Sequence, residues 1–309
     1  MKLYLDNVNL GSRSGPNTFA MRLATALHGR GHELVGRDDD YDVMLAFIEP
    51  THEPRKGAAL VQRLDGIWFK PDQFEPLNKG IKACYERADL VIFQSDFDRD
   101  MVNHHWGWPK DWRVIHNGID PTPVPAITIP ALQQLRDQYE MLFVCSSNWH
   151  PQKRLRDNIA LFEHLQQRFY PSSALIVMGS GPDAVTRNPH VYFTGSVNQN
   201  VYLQTMSAAN WMIHLAWLDH CPNVVVEALS QGTPVLCSSE GGTKELVGSY
   251  GIVLKDTDTY RFELTDYDNP PRVDVTQVES PLPPRQELPL PALDMSIQTV
   301  AEKSEKALE

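Results

Sequence analysis

The chain is predicted to fold as two α/β domains, each a parallel sheet wound with crossover helices, and three observations predict it. Short β-rich apolar runs alternate with helical patterns over roughly the first 255 residues. A cluster of prolines, Pro121, Pro123, Pro125 and Pro130, interrupts that series, because so many prolines suit neither a strand nor a helix interior. A length of 309 residues also fits two compact units better than one.

In the first unit, residues 1–122, strands are expected at 3–7, 33–36, 42–49, 58–65, 90–95 and 113–117. Between the first two, Phe19, Leu23 and Leu27 recur every four residues with Ala20 and Ala24 beside them, as an amphipathic helix requires. The second unit, residues 132–255, repeats the rhythm, with strands at 141–146, 174–178, 191–194, 211–215, 234–238 and 252–254. Its clearest helices are 154–169 and 223–230. From 256 onward the pattern stops, and Pro270, Pro271, Pro281, Pro283, Pro284, Pro289 and Pro291 leave little room for regular structure. A long, partly mobile surface segment is expected there. Residues 292–308 regain helix-forming composition with Ile297, Val300 and Ala301 on one side, so 256–309 reads as a Pro-rich stretch followed by a helix that packs back across the domains.

With 42% hydrophobic and 22% charged residues the chain is neither disordered nor fibrous. No apolar run reaches the length of a membrane span, and the opening MKLYLDNVNL lacks a signal-peptide core. Cys84, Cys145, Cys221 and Cys237 are scattered without a CxxC pair, which points to free thiols in a reducing cytoplasm. A formal net charge of −11 disfavours long-range attraction to polyanions. His104-His105, His150 and His220-Cys221 lack the spacing of a zinc site, so no metal is expected.

Three loops carry the chemistry. Gly11-Ser-Arg-Ser-Gly15-Pro-Asn17 lies between the first strand and first helix, where glycine admits a close ligand and the helix N-terminus attracts phosphate. It is equally a common strand-to-helix turn, and it is not the dinucleotide fingerprint GxGxxG. Ser146-Ser-Asn-Trp-His-Pro-Gln-Lys153-Arg154 follows the first strand of the second unit, and its adjacent cations could hold a diphosphate or merely open a helix. The third run is His214-Leu-Ala-Trp-Leu-Asp219-His-Cys-Pro-Asn-Val-Val-Val-Glu227-Ala-Leu-Ser-Gln-Gly232-Thr-Pro-Val, then Glu240-Gly-Gly242-Thr-Lys-Glu245.

That last block resembles the nucleotide-sugar site of GT-B glycosyltransferases, in the large retaining group that includes sucrose and mannosyl transferases. The family pattern has two acidic residues with seven between them, then Gly-x-Pro-Val and a later Gly-Gly-x-x-Glu. Asp219 and Glu227 have that spacing, with Asp where the family usually has Glu. Arg30-Gly-His-Glu-Leu34, Ala88-Asp-Leu-Val-Ile-Phe-Gln-Ser95 and Val114-Ile-His-Asn-Gly-Ile-Asp120 extend the resemblance over most of residues 1–255.

The resemblance implies two Rossmann-like domains facing a central cleft. It also implies a retaining, metal-independent transfer of a hexose or pentose from a UDP- or GDP-linked donor, with no further cofactor. By analogy Glu227 accepts hydrogen bonds from the donor ribose, Asp219 faces the donor sugar, and backbone amides at Gly241, Gly242 and Thr243 face sugar or diphosphate. Gly15, Lys153 and Arg154 would steady the leaving phosphate, where negative charge develops. Asp65, in Gln62-Arg63-Leu64-Asp65-Gly66, would position the acceptor hydroxyl, although an Arg-Asp pair closing a turn is nearly as good a reading.

The acceptor is left open between a saccharide, another small molecule and a hydroxylated DNA base. The last is suggested by Trp106, Trp108 and Trp112 near Lys110 and Arg113, although tryptophans near a helix end are more often core residues and the net acidity argues against DNA. A nucleotide-sugar epimerase of the same fold, a non-catalytic nucleotide-sugar binding protein and a NAD-dependent enzyme are the competing classes.

Overall fold

The computed structural model describes residues 1–9, 15–120, 129–181, 186–289, 291 and 293–308. Most of the expected first phosphate loop, 11–14, and most of the proline break, 121–128, lie outside the described residues. The first sheet contains β1 (Lys2–Asp6), β2 (Glu33–Leu34), β3 (Val43–Phe47), β4 (Ala59–Leu64), β5 (Leu90–Phe93) and β6 (Trp112–Val114), ordered β2-β1-β3-β4-β5-β6. The second contains β7 (Met141–Ser146), β8 (Ser173–Met178), β9 (Val191–Gly195), β10 (Trp211–His214), β11 (Val235–Ser238) and β12 (Gly251–Leu254), ordered β12-β11-β10-β7-β8-β9. Every pairing is parallel. All twelve strand positions read from the sequence are occupied by strands, displaced by no more than a few residues at their ends.

The central strands are continuous apolar runs, because helices cover both faces of such a sheet. Val43–Phe47 is buried at every position, and so is Ser173–Met178. Helix α1 (Gly15–Gly29) buries Phe19, Ala20, Leu23, Ala26 and Leu27, the face its four-residue spacing predicts. Four further helices follow: α2 (Phe74–Arg87), α3 (Asp96–Trp106), α4 (Pro130–Gln138) and α5 (Leu155–Arg168). The second domain continues with α6 (Gln199–Ala208), α7 (Asn223–Ser230) and α8 (Thr243–Val247). Helix α6 is amphipathic only weakly and had no sequence signal strong enough to mark it.

The described part of the Pro-rich stretch packs against the rest of the chain rather than wandering over its surface. Tyr260, Val273, Val278 and Leu282 are buried, and residues 260–268 cross onto the first domain. There Thr265 N–H donates to Phe69 O at 2.9 Å, Tyr267 packs on Phe69 with ring centroids 4.9 Å apart, and Lys70 pairs with Asp266 and Asp268. The path is pinned by isolated contacts rather than by regular hydrogen bonding, which is why proline density gave no sign of it. Helix α9 (Ile297–Leu308) then buries Ile297, Val300 and Ala301 in the same core as Phe19 and Leu23 of α1. Arg30 and His32 pair with Glu305 at 2.5 and 3.1 Å. Strand β1 and helix α9 therefore both belong to the first domain.

Candidate active site

The carboxyl ends of both sheets open on one interdomain cleft, the place where parallel α/β sheets bind ligands. Two cavities occupy it. One, of about 370 Å³, is lined by Gly15 at the start of α1, by Asn148 and His150 after β7, by His214, and by Asn223 and Val224 of α7. The other, of about 270 Å³, is walled by Trp68, Phe69, Trp217 and Tyr267. They meet at Asp65, Lys153, Asp219 and His220, which line both.

Asp219 follows Leu218, whose φ of +55° is a left-handed turn that a β-carbon disfavours. That strained bend turns the chain out of β10 so that Asp219 and His220 face the cleft. Lys153 Nζ lies 2.5 Å from Asp219 Oδ2, and His214 Nε2 lies 3.3 Å from the same oxygen. Burial alone would raise the Asp219 carboxyl, but Lys153 and His214 beside it hold it well below the usual carboxylate range. For His214 burial dominates and lowers its pKa despite Asp219. Among the described residues Lys153 is the one lysine or arginine lining either cavity.

Arg154 departs from its neighbour. Its φ of +51° ends the short turn Pro151–Lys153 and sends the guanidinium down into the second domain. There Nη1 meets Asp256 at 2.6 Å with both side chains fully buried, over the Trp217 ring. It is an internal ion pair under the site, and it does not stand beside Lys153 at the cavities.

Glu227 lies one turn along α7 from Asn223 and Val224, largely buried, with Oε1 2.6 Å from Arg22 Nη2 of α1. This cross-domain pair gave no sequence signal, since Arg22 sits in no motif and is 205 residues away. Tyr202 is close by, its phenol pushed well up by burial and then by the Glu227 charge.

Gly241 and Gly242 bring the loop before α8 tight against Asp219 and His220. The Gly242 N–H donates to Asp219 O at 2.7 Å, so it is committed to holding Asp219, and a Cβ on Gly242 would run into the His220 carbonyl and Ser95. Gly241, at φ +114°, has Asp219 backbone atoms 2.9 Å from where its Cβ would stand. Thr243 is buried at the start of α8. Glu245 accepts from the Asp96 and Phe97 amides at 2.7 and 2.8 Å, capping α3 of the opposite domain. Gly15 also bridges the cleft, its carbonyl accepting from Asn223 Nδ2 at 3.0 Å.

Asp65 directly follows β4 and lines both cavities. Burial raises its carboxyl above the usual value, against the lowering pull of Arg63, whose Nη2 is 3.8 Å away. Arg63 itself is fully buried, 4.2 Å over the Phe19 ring and bonded to Asn117 Oδ1. Asn117 in turn donates to Cys221 O and Asn223 Oδ1 at 2.9 and 3.0 Å, tying the two domains together under the cleft. The tryptophan group lies elsewhere. Trp112 opens β6, at the strand end away from the cleft, stacked on Trp108, while Lys110 and Arg113 pair with Asp89 and Asp111.

Two parallel Rossmann-like sheets facing a cleft, with a terminal helix returned to the first domain, define the GT-B fold. Comparison with known proteins adds that residues 138–263 match the model of the glycosyl transferases group 1 family. The O-antigen chain mannosyltransferase B of Escherichia coli is 23% identical over 202 residues, 60% of this chain and 53% of that protein, so the chain spans about half the length of this curated relative. The structure of Anabaena Alr3699/HepE in complex with UDP and glucose superposes with a TM-score of 0.66 at 19% identity, covering 100% of this chain and 99% of that one. Sucrose-phosphate synthase from Thermosynechococcus elongatus gives a TM-score of 0.64 at 14% identity, over 83% and 86% of the two chains. These structural likenesses establish a shared fold. No described helix is long and apolar enough to cross a membrane.

Proposed function

We propose that the chain is a glycosyltransferase that takes a sugar from a nucleotide-sugar donor and passes it to an acceptor hydroxyl. The observation that carries this reading is the cleft wall formed by the family-matched domain, where Lys153 and Asp219 pair on the lining of one cavity and Glu227 lies one turn along α7 from Asn223 and Val224, which line the same cavity. A carboxylate is an acceptor-only group suited to ribose hydroxyls, and Glu227 fits that role with Arg22 fixing one of its oxygens. Lys153 supplies positive charge where the diphosphate leaves, and Asp219, kept ionised, takes hydrogen bonds from the donor sugar. A UDP- or GDP-linked hexose or pentose, retention at the anomeric carbon and independence of metal and other cofactors are part of the same reading. So is a cytoplasmic location, supported by four buried free thiols.

The second cavity is assigned to the acceptor. Its aromatic walls suit the apolar face of a saccharide or another small hydroxyl compound. A DNA acceptor would call for a row of unpaired cations at the mouth, yet Lys70 nearby is neutralised by Asp266 and Asp268. The test is to measure the thermal shift of the protein with a panel of nucleotide sugars, then product formation from the donor that binds, with neutral sugars and oligonucleotides as acceptors. Binding without any transfer or donor hydrolysis would favour a non-catalytic binding protein instead.

A further inference from the structure

The cavity assigned to the acceptor has a divided lining. Its charged side chains gather where it meets the other cavity: Asp65, Lys153, Asp219 and His220 line both, and Gln152 adjoins Lys153. Away from that junction the walls are Ile48, Ile67 and Ile81 together with the four rings already named. The Tyr267 hydroxyl is committed to Gln73 Oε1 at 2.9 Å. Trp217 Nε1 and Gln152 Oε1 are buried, with almost no surface to offer a ligand. Hydrogen-bonding side chains therefore serve one end of the cavity, and the rest of it is apolar.

These apolar walls are held in place. Ile48 has a φ of +71°, a left-handed conformation that a β-branched residue rarely adopts. Its N–H donates to Arg63 O at 2.8 Å, and the buried Gln62 donates from Nε2 to Ile48 O at 2.6 Å and to Ile81 O at 3.1 Å. One amide thus ties both isoleucines to β4. Strain of this kind persists where surrounding contacts over-determine it, and it clusters at ligand sites. Trp68 is clamped through its backbone: its N–H donates to Asn78 Oδ1 at 2.9 Å, and its carbonyl accepts from Asn78 Nδ2 at 2.6 Å. Its side chain nonetheless leaves the residue 44% exposed, a large apolar face held toward solvent and the cavity. Tyr267 is supplied by the Pro-rich stretch, outside the residues that match the glycosyl transferase family.

A sugar ring carries hydroxyls around its edge. It can lay one face on an indole, but its edge hydroxyls then meet isoleucine side chains that return no hydrogen bond, a poor exchange for water. A flat apolar body loses nothing there and gains contact with the rings. At about 270 Å³, just under the roughly 300–1,000 Å³ usual for ligand pockets, the space suits one ring system with its hydroxyl at the polar end. We propose that the acceptor is a hydroxyl compound carried on a flat aromatic body, with the hydroxyl between Asp65 and the donor sugar. The proposal rests on the reading of the chain as a glycosyltransferase and narrows it. In the transfer the acceptor oxygen bonds to the anomeric carbon while the bond from that carbon to the diphosphate oxygen breaks. The nucleoside diphosphate leaves with that electron pair and takes up the hydroxyl proton.

The test measures kcat/KM of the full chain, with the donor found by thermal shift, for two primary alcohols: 2-naphthylmethanol and a methyl hexoside. The aryl alcohol should be preferred on the order of 10²-fold or more. Trp68→Ala removes a stacking face and should lower that preference about ten-fold or more. Ile48→Asn keeps a residue type that tolerates the left-handed region while putting an amide in the wall, and should shift the preference toward the hexoside by a similar factor. Because the preference is a ratio of two kcat/KM values from one sample, it does not depend on how much of a variant is folded. Should Trp68→Ala fail to fold altogether, Ile48→Asn decides by the same ratio. A hexoside used as well as the aryl alcohol overturns the proposal, and so does a preference that neither variant alters. Donor hydrolysis that 2-naphthylmethanol does not divert into product overturns it as well. A wild type that neither transfers nor hydrolyses any nucleotide sugar refutes the glycosyltransferase reading and this inference with it, whereas a wild type that glycosylates sugars alone refutes this inference only.

Discussion

Lys153 and Arg154 are adjacent cations that the structure gives opposite duties, so replacing each by alanine should damage a different property. Lys153 is 22% exposed and its partner Asp219 15%, so the pair is partly hydrated and its loss should lower stability by about 1 kcal/mol or less. In turnover the same change should cost on the order of 10²- to 10³-fold, about 2.7–4 kcal/mol, because a fixed charge facing the developing phosphate anion is removed. Arg154 cannot swing in as a substitute, since its guanidinium is held by Asp256 beneath the site. Arg154→Ala leaves Asp256 buried without its counter-charge, at a cost of about 3–5 kcal/mol. For a domain of this size that corresponds to a fall in Tm of roughly 6–20 °C. Steady-state kinetics with saturating donor and thermal unfolding of both variants measure the two effects. A Lys153→Ala enzyme with turnover within about two-fold of wild type would refute the placement of the diphosphate. An Arg154→Ala protein as stable as wild type but inactive would show that the reading of Arg154 as an internal ion pair is wrong.

Glu227→Ala should weaken donor binding by about 1–3 kcal/mol, and calorimetric titration with the donor nucleotide checks it; unchanged affinity would move the ribose site elsewhere. Asp65 has a folded-state pKa raised above its unfolded value, so its ionisation opposes folding as pH rises above the ordinary value of about 3.9. Asp65→Asn cannot ionise, so its Tm advantage over wild type should be absent below about pH 4 and grow toward neutrality, while transfer activity falls. A constant difference across that range would contradict the burial argument. Exhaustive chelation should leave transfer unchanged, because Lys153 supplies the charge at the diphosphate; activity lost to EDTA and restored by magnesium or manganese would overturn metal independence.

What the sequence determined by itself was local and repetitive. Apolar runs such as 43–47 and 174–178 announced buried parallel strands, because a strand covered on both faces has no polar alternation to confuse the signal. Phe19, Leu23 and Leu27 announced the buried face of α1, since that face depends on spacing along one segment. The tertiary structure decided matters of direction and of contact between distant segments. A left-handed residue at Arg154 separates it from Lys153, and no local pattern forces that sign of φ. Arg22 reaches Glu227, Glu245 caps α3, and His220 finds Asp98 only because two domains close on one another. The Pro-rich segment is fixed against the first domain by the Tyr260 and Tyr267 rings and the Thr265 backbone amide, isolated contacts with no period to detect. Spacing within a segment follows from helix and strand geometry, whereas which surfaces meet across a cleft depends on the whole chain path.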